Sequence, residues 1–423
     1  MTVERPDAKT GTGADGTSPG AAAEPGGRWV GALTLANLGV WAGWFGPLQL
    51  LLARQTEQLT PDHKATTLAV VTGLGAAVSM VANPVFGALS DRTTARVGRR
   101  IPWVAGGVVG GAAGLAVLSL ASSVATVIAG WCLVQLALNA AFAALTAAVP
   151  DQVPPRRRGL VGGWLGVSQV VGILIGTGLA TVAGGITAGY LACAGFSVLA
   201  AVPYVLMRRD SVLAPAARPV FRWRAFLTGF WIDPRRHPDF GWAWLTRFLM
   251  NLSYSISTMY LLYYLTDAVH YTDDADTGVL ILTALNAVTL LATVVISGIR
   301  SDRSGRRKSY VIWSGLVISA ATLLLAGWQT WTGAVVASLI LGLGFGVYTS
   351  VDFALLTDVL PTAEDRGKDL GVINIANALP QVLAPVIAAP VVTHLGGYTA
   401  LYALAGGLAL VGSVLVRRIR SVL

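Results

Sequence analysis

The stretch "GALSDRTTARVGRR", residues 87–100, crowds Asp91, Arg92, Arg96, Arg99 and Arg100 into ten residues of an otherwise oily chain. A second stretch, "SGIRSDRSGRRK" at 297–308, repeats it: "SDRT" and "GRR" at 90–100 pair with "SDRSGRR" at 301–307, four residues shorter. The repetition extends further. "VPDQVPPRRRGLVGGW" at 149–164 pairs with "LTDVLPTAEDRGKDLG" at 356–371, which sets Asp151 against Asp358 and Arg158 against Arg366. Asn37-Leu38 likewise pairs with Asn251-Leu252. A chain written twice predicts two like structural halves.

Composition names the solvent. Of 423 residues, 54% are hydrophobic and only 12% are charged, and the mean hydropathy is +0.64. A soluble domain carries about 25% charged residues, so lipid must surround most of this chain. A bilayer core asks for about 20 apolar residues per helix. Twelve runs meet that length: 29–53, 65–89, 101–121, 124–149, 159–183, 187–207, 242–266, 276–299, 309–328, 332–357, 368–393 and 397–416. Many of the 49 glycines fall inside them. In lipid, small residues let helices approach closely.

The predicted fold is therefore an all-α membrane protein of two pseudo-symmetric six-helix bundles, at 29–207 and 242–418. A disordered cytoplasmic tail covers 1–28, a central cytoplasmic linker 208–241 and a short tail 419–423. Such a parallel repeat is a transporter plan. With the N-terminus inside, most Lys and Arg fall in inner loops, including Arg156–Arg158, Arg235, Arg236, Arg307 and Lys308, while the outer loops hold Arg54 and Lys64. That obeys the positive-inside rule and puts both termini in the cytoplasm of a cell membrane. The same placement accounts for the net charge of +9 without nucleic-acid binding. Residues 1–27 lack the apolar centre of a secretory signal, so the first span is expected to direct insertion.

Cys132 and Cys193 lie within apolar runs without ligand spacing, which predicts neither disulfide nor metal site. No GxxxxGK[ST] phosphate loop is present, so ATP drive is unsupported. No nucleophile–base pair marks a membrane enzyme, and no cofactor is expected beyond a proton gradient.

The residues Gly87, Asp91, Arg92, Gly98, Arg99 and Arg100, and their echo after span 8, resemble the major facilitator superfamily over nearly the whole chain after residue 28. The longer "SDRTTARVGRRIPW", preceded by "ANPVFGALSD", is most similar to the glycoside–pentoside–hexuronide cation symporters and sucrose-type carriers. Sodium-coupled members of that branch place acids before the Asn-Pro of span 2. Here "LGAAVSMVANPVFG" puts Ser79 and Asn83 there, which argues against sodium. Span 5 also lacks the Gly-Pro signature of drug:proton antiporters.

The resemblance implies that Asp91 docks on the start of span 11 and that Arg92 pairs with Asp151. By the duplication, Asp302 docks on span 5 and Arg303 pairs with Asp358, with Gly305, Arg306 and Arg307 completing the second loop. These contacts would latch the halves at the inner rim and break when the cavity opens inward, biasing a two-state equilibrium. Ionisable residues inside spans mark function by default. Arg247 in span 7 and Asp352 in span 10 are expected to pair and to carry coupling.

The resemblance also places the cavity among spans 1, 4, 7 and 10. Its expected lining is Asn37, Trp41, Trp44, Gln135, Asn139, Asn251, Tyr254 and Tyr348, with Asn374, Asn377 and Gln381 from span 11. Amides, hydroxyls and aromatic faces suit a neutral, hydroxyl-rich small molecule such as a sugar. Trp131, Trp328 and Trp331 sit at run edges and are expected in the interfacial belt. The expected function is proton-coupled transport of a small polar solute by a monomer in the bilayer. Export of a small organic metabolite or drug and lipid or lysolipid flipping are the alternatives on the same fold.

Overall fold

Every predicted apolar run becomes a helix, because in hydrocarbon a backbone must satisfy its own hydrogen bonds. The structure, a computed structural model, describes residues 26–210, 212–214, 237–271, 273–304, 307–358 and 366–419. The twelve long helices are α1 (Gly27–Leu59), α2 (Lys64–Asp91), α3 (Ile101–Ser119), α4 (Val124–Gln152), α5 (Pro155–Val182), α6 (Ile186–Leu206), α7 (Pro238–Met259), α8 (Ala275–Ser304), α9 (Arg307–Gly327), α10 (Trp331–Asp358), α11 (Arg366–His394) and α12 (Gly397–Leu415). Among the described residues, eleven helices are long and apolar enough to cross a membrane. The twelfth, α7, carries Asp239, Arg247 and Asn251 and is correspondingly less apolar.

The repeat seen in the sequence is a repeat in packing. In the first half α1 packs on α5 and α6, α3 on α4 and α6, and α2 on α4. In the second half α7 packs on α11 and α12, α9 on α10 and α12, and α8 on α10. The halves meet where α2 lies on α11 and α5 on α8. Both first helices of the repeat also loosen into a π-turn toward the same end, at Pro47–Leu51 after α1 begins and at Tyr264–Ala268 beyond α7. A π-turn forfeits the regular i to i−4 ladder and is often found at functional sites.

Two glycines do specific work. Gly98 adopts φ 111°, a left-handed conformation that glycine tolerates without steric cost. A Cβ there would also lie 2.3 Å from the Asp210 side chain. Gly75 in α2 faces Trp131 of α4 so closely that a Cβ would lie 2.3 Å from the indole. Trp131 is consequently 0% exposed, which corrects its expected place in the interfacial belt. Trp328 is exposed, and Trp331 stacks on Tyr271 with ring centroids 4.5 Å apart.

Candidate functional site

Arg100 organises the arginine-rich end of the first half. Its side chain is 2% exposed and reaches three acceptors on two helix ends: Nη1 donates to Ser90 Oγ at 2.5 Å, Nη2 to Asp91 at 2.5 Å and Nε to Asp151 at 2.8 Å. Arg99 adds an ion pair to Asp151 at 2.5 Å. Asp210, just beyond α6, accepts from the backbone N–H groups of Arg100 at 2.5 Å and Ile101 at 3.0 Å. This satisfies two of the orphan donors that every helix start leaves, and a carboxylate is favourable at that positive end. The ends of α2, α4 and α6 are thus tied to the start of α3. Burial works against the Arg100 charge, but hydrogen bonds and charge from Asp151 and Asp91 outweigh it and hold its pKa above the ordinary arginine value.

These contacts change the expected latch. Among the described residues, Asp151 is held by Arg99 and Arg100 and not by Arg92. Asp91 pairs with Arg100 of its own half; the side chains at the start of α11, where it was expected to dock, lie outside the described residues. The reason is geometric: the Gly98 turn swings Arg99 and Arg100 back over the α2 and α4 ends. Arg158 serves a local purpose, donating to the carbonyls of Val153 at 2.9 Å and Pro150 at 2.8 Å and so capping the end of α4. Gly87 meets nothing that a Cβ would touch. In the second copy, Arg307 begins α9. Gly305 and Arg306, and the side chains of Asp302, Arg303, Asp358 and Arg366, lie outside the described residues.

The halves are joined by polar contacts at the opposite end. Arg54 of α1 pairs with Asp276 of α8 at 2.7 Å, and Lys64 of α2 with Asp267 at 2.9 Å. Tyr263 donates to the Ala53 carbonyl at 2.7 Å and meets the Thr56 hydroxyl at 2.8 Å, while Tyr260 donates to the Ala65 carbonyl at 3.1 Å. Lys64 lies 4.8 Å over the Tyr263 ring. At the arginine-rich end, by contrast, Leu160 and Trp164 of α5 are 60% and 50% exposed. Among the described residues, the halves are joined at the Arg54 end, while at the arginine-rich end the cavity-lining Leu160 and Trp164 stay exposed. Reversing both cross-half cations (Arg54→Asp with Lys64→Asp) turns two attractions into repulsions. Partly exposed pairs are worth about 0.2–1 kcal/mol each, and tenfold in an equilibrium is about 1.4 kcal/mol. A cysteine placed at Gln49 is expected to react with an impermeant maleimide from the joined end about tenfold faster in that background. Unchanged reactivity would refute the gate.

Between the halves lies a cavity of about 740 Å³. Trp41 and Gln49 from α1, Gln135 and Trp131 from α4, Asn251 and Tyr254 from α7, and Asn377 and Gln381 from α11 line it. Ser257 and Thr349 line it as well. Sequence reasoning missed the contributions of α5 and α8: Trp164, Gln169, Val170 and Ile173 on the first, and Asn286, Leu290 and Val294 on the second. Gln169 carried a readable signal, an amide inside an apolar run. No charged side chain lines the cavity among the described residues. Among the described residues its amides come from α1, α4, α5, α7, α8 and α11, while the apolar lining is densest on α5 and α8.

Several expected lining residues lie behind the wall. Asn37 donates to Ser168 Oγ at 2.7 Å and borders a separate 120 Å³ pocket. Trp44 is buried edge-on to Trp41 and Phe142, with centroids 5.5 and 5.6 Å away. Asn139 bonds Ser79 at 3.0 Å and the Gln135 carbonyl at 2.7 Å, an interhelical role of the kind worth about 0.6 kcal/mol. Tyr348 is buried against Phe345. The Asn374 side chain lies outside the described residues. Tyr254 faces the cavity but is held in place, stacked on Phe345 at 3.7 Å and donating to Asn286 at 2.9 Å.

Arg247 and Asp352 are brought together. They form an ion pair between α7 and α10, with Asp352 4% exposed. Arg247 Nε also donates to Asn377 Oδ1 at 2.8 Å. Among the described residues, no group of His, Cys, Asp and Glu could hold a metal.

Two six-helix halves around a central cavity, joined at one end, define a membrane transporter. The Major Facilitator Superfamily profile matches residues 33–291 and 268–422, and the chain belongs to that family. No curated protein matches it by sequence. Among solved structures, the human organic anion transporter MFSD10 (TETRAN) is 17% identical, with TM-score 0.68 over 92% of this chain and 99% of that one. A POT family transporter in complex with a thioalcohol-conjugated peptide is 14% identical, with TM-score 0.74 over 92% and 96%. The nucleoside transporter NupG is 13% identical, with TM-score 0.71 over 92% and 98%. At these identities the likeness is one of fold.

Proposed function

We propose that the protein carries a neutral solute with a hydroxyl-bearing face and an apolar body, of the glycoside type, coupled to protons by alternating access. It sits in the cytoplasmic membrane with its arginine-rich end and both termini inside. The carrying observation is the cavity lining: amides set among aliphatic and aromatic groups that are densest on α5 and α8, and no charge among the described residues. A buried charge without a partner is costly, so an anion or cation in this lining would bind poorly. A volume of about 740 Å³ falls in the range of about 300–1,000 Å³ that drug-sized ligands occupy, which favours a glycoside over a free monosaccharide. The Arg247–Asp352 pair supplies the site for the coupling proton, because an acid balanced between burial and a cation titrates according to conformation.

The test uses proteoliposomes with an acidic exterior and a panel of phenyl β-glucoside, glucose and benzoate. Phenyl β-glucoside is expected to accumulate several-fold, glucose less, and benzoate no more than in protein-free vesicles. A sodium gradient in place of the pH gradient is expected to drive nothing. Equal handling of all three compounds, or uptake indifferent to pH, would sink this reading.

A further inference from the structure

We propose that Asn377 reports occupancy of the cavity to the Arg247–Asp352 pair, acting as a positioning residue for the coupling acid. The inference rests on the proton-coupled reading above. Asn377 has two faces. Its Oδ1 accepts from Arg247 Nε at 2.8 Å and from Asn251 Nδ2 at 3.4 Å. Arginine has donors only, so the amide oxygen must face it and the NH₂ group must face the other way. Asn377 and Asn251 line the cavity, whereas Arg247 and Asp352 do not. The NH₂ of Asn377 is therefore offered to an acceptor oxygen of the solute.

The guanidinium is a rigid planar fork. Its Nε is held by Asn377 and its Nη1 by Asp352, so moving one contact turns the other. Asn251 braces the arrangement by also donating to the Arg247 carbonyl at 2.9 Å. Among the described residues, the other ionisable group facing this pair is Tyr348, one turn before Asp352 on α10, buried and within electrostatic reach of Arg247. A solute that draws Asn377 toward itself shifts the Arg247 fork and with it the hold on Asp352. Chained hydrogen bonds in low dielectric strengthen one another, which lets a neutral ligand alter a carboxylate it never touches.

The first measurement needs no solute. The carboxyl infrared band of Asp352, assigned by its loss in Asp352→Asn, is titrated in full-length protein. Asn377→Ala is expected to move the midpoint by at least one pH unit, and the milder Asn377→Ser to move it the same way. Gln381→Ala, a cavity amide with no contact to Arg247, is expected to leave it in place. A midpoint unmoved in both Asn377 variants overturns the proposal. The second measurement uses phenyl β-glucoside. At saturating solute, Asn377→Ala is expected to lower the pH-driven accumulation ratio at least tenfold, over and above any weakening of apparent affinity. Gln381→Ala is expected to weaken apparent affinity while keeping the accumulation ratio. Retained accumulation in Asn377→Ala overturns the proposal. Retained accumulation in Asp352→Asn overturns the proton-coupled reading instead, and the infrared midpoint still decides the Asn377–Arg247 link.

Discussion

Arg100→Ala is expected to destabilise the protein by about 3–5 kcal/mol, the cost of removing one partner from a buried ion pair. The substitution strips Asp151 of its Nε donor, frees the Ser90 hydroxyl and leaves Asp91 without its cation. The ends of α2 and α4 then lose the buried side chain that joins them at the start of α3, with Arg99 on Asp151 and the Asp210 cap left in place. Arg99→Ala removes a single, more exposed partner of Asp151 and is expected to cost about 1 kcal/mol or less. Cys193 is buried and Cys132 is half-buried, both free, so in a Cys132→Ser background a thiol-reactive fluorophore reports unfolding on heating. Arg100→Lys keeps the charge but loses the fork that reaches three acceptors, and is expected to recover only part of the loss. Equal thermal midpoints for the Arg99 and Arg100 variants would refute the hub.

Asp352→Asn is expected to abolish uphill transport, so that under a pH gradient the solute only equilibrates, while exchange without a gradient survives. The amide still accepts the Arg247 hydrogen bond and fits the same space, so the packing of α7 on α10 stands and only the titrating group is gone. Arg247→Ala is a poorer probe, because it leaves Asp352 buried without a cation, at about 3–5 kcal/mol. Parallel assays of pH-driven accumulation and counterflow in proteoliposomes separate the two effects. Undiminished accumulation in Asp352→Asn would remove the acid from the coupling mechanism.

The polar residues illustrate where sequence reasoning stops. Helical spacing places Asn37, Trp41 and Trp44 close around one helix, and all three were expected at the cavity. Only Trp41 reaches it, because Asn37 turns to Ser168 of α5 and Trp44 sinks against Phe142. Periodicity fixes which residues share a face, but the rotation of that face toward the cavity depends on which neighbour packs against it. The lining of α5 and α8 was missed for the same reason. Asp210 left no periodic mark at all, since a cap supplied from a distant helix end has no local spacing.

The sequence by itself determined the medium, the twelve spans, the duplication and the Arg247–Asp352 pair. Apolar length, repeated motifs and the cost of intramembrane charge act through local composition and need no knowledge of packing. Tertiary structure alone decided which arginine holds Asp151, which amides meet the solute and which end joins the halves. Those depend on a left-handed glycine, on the rotation of packed helices and on contacts between residues 51 to 222 positions apart, none of which a local pattern encodes.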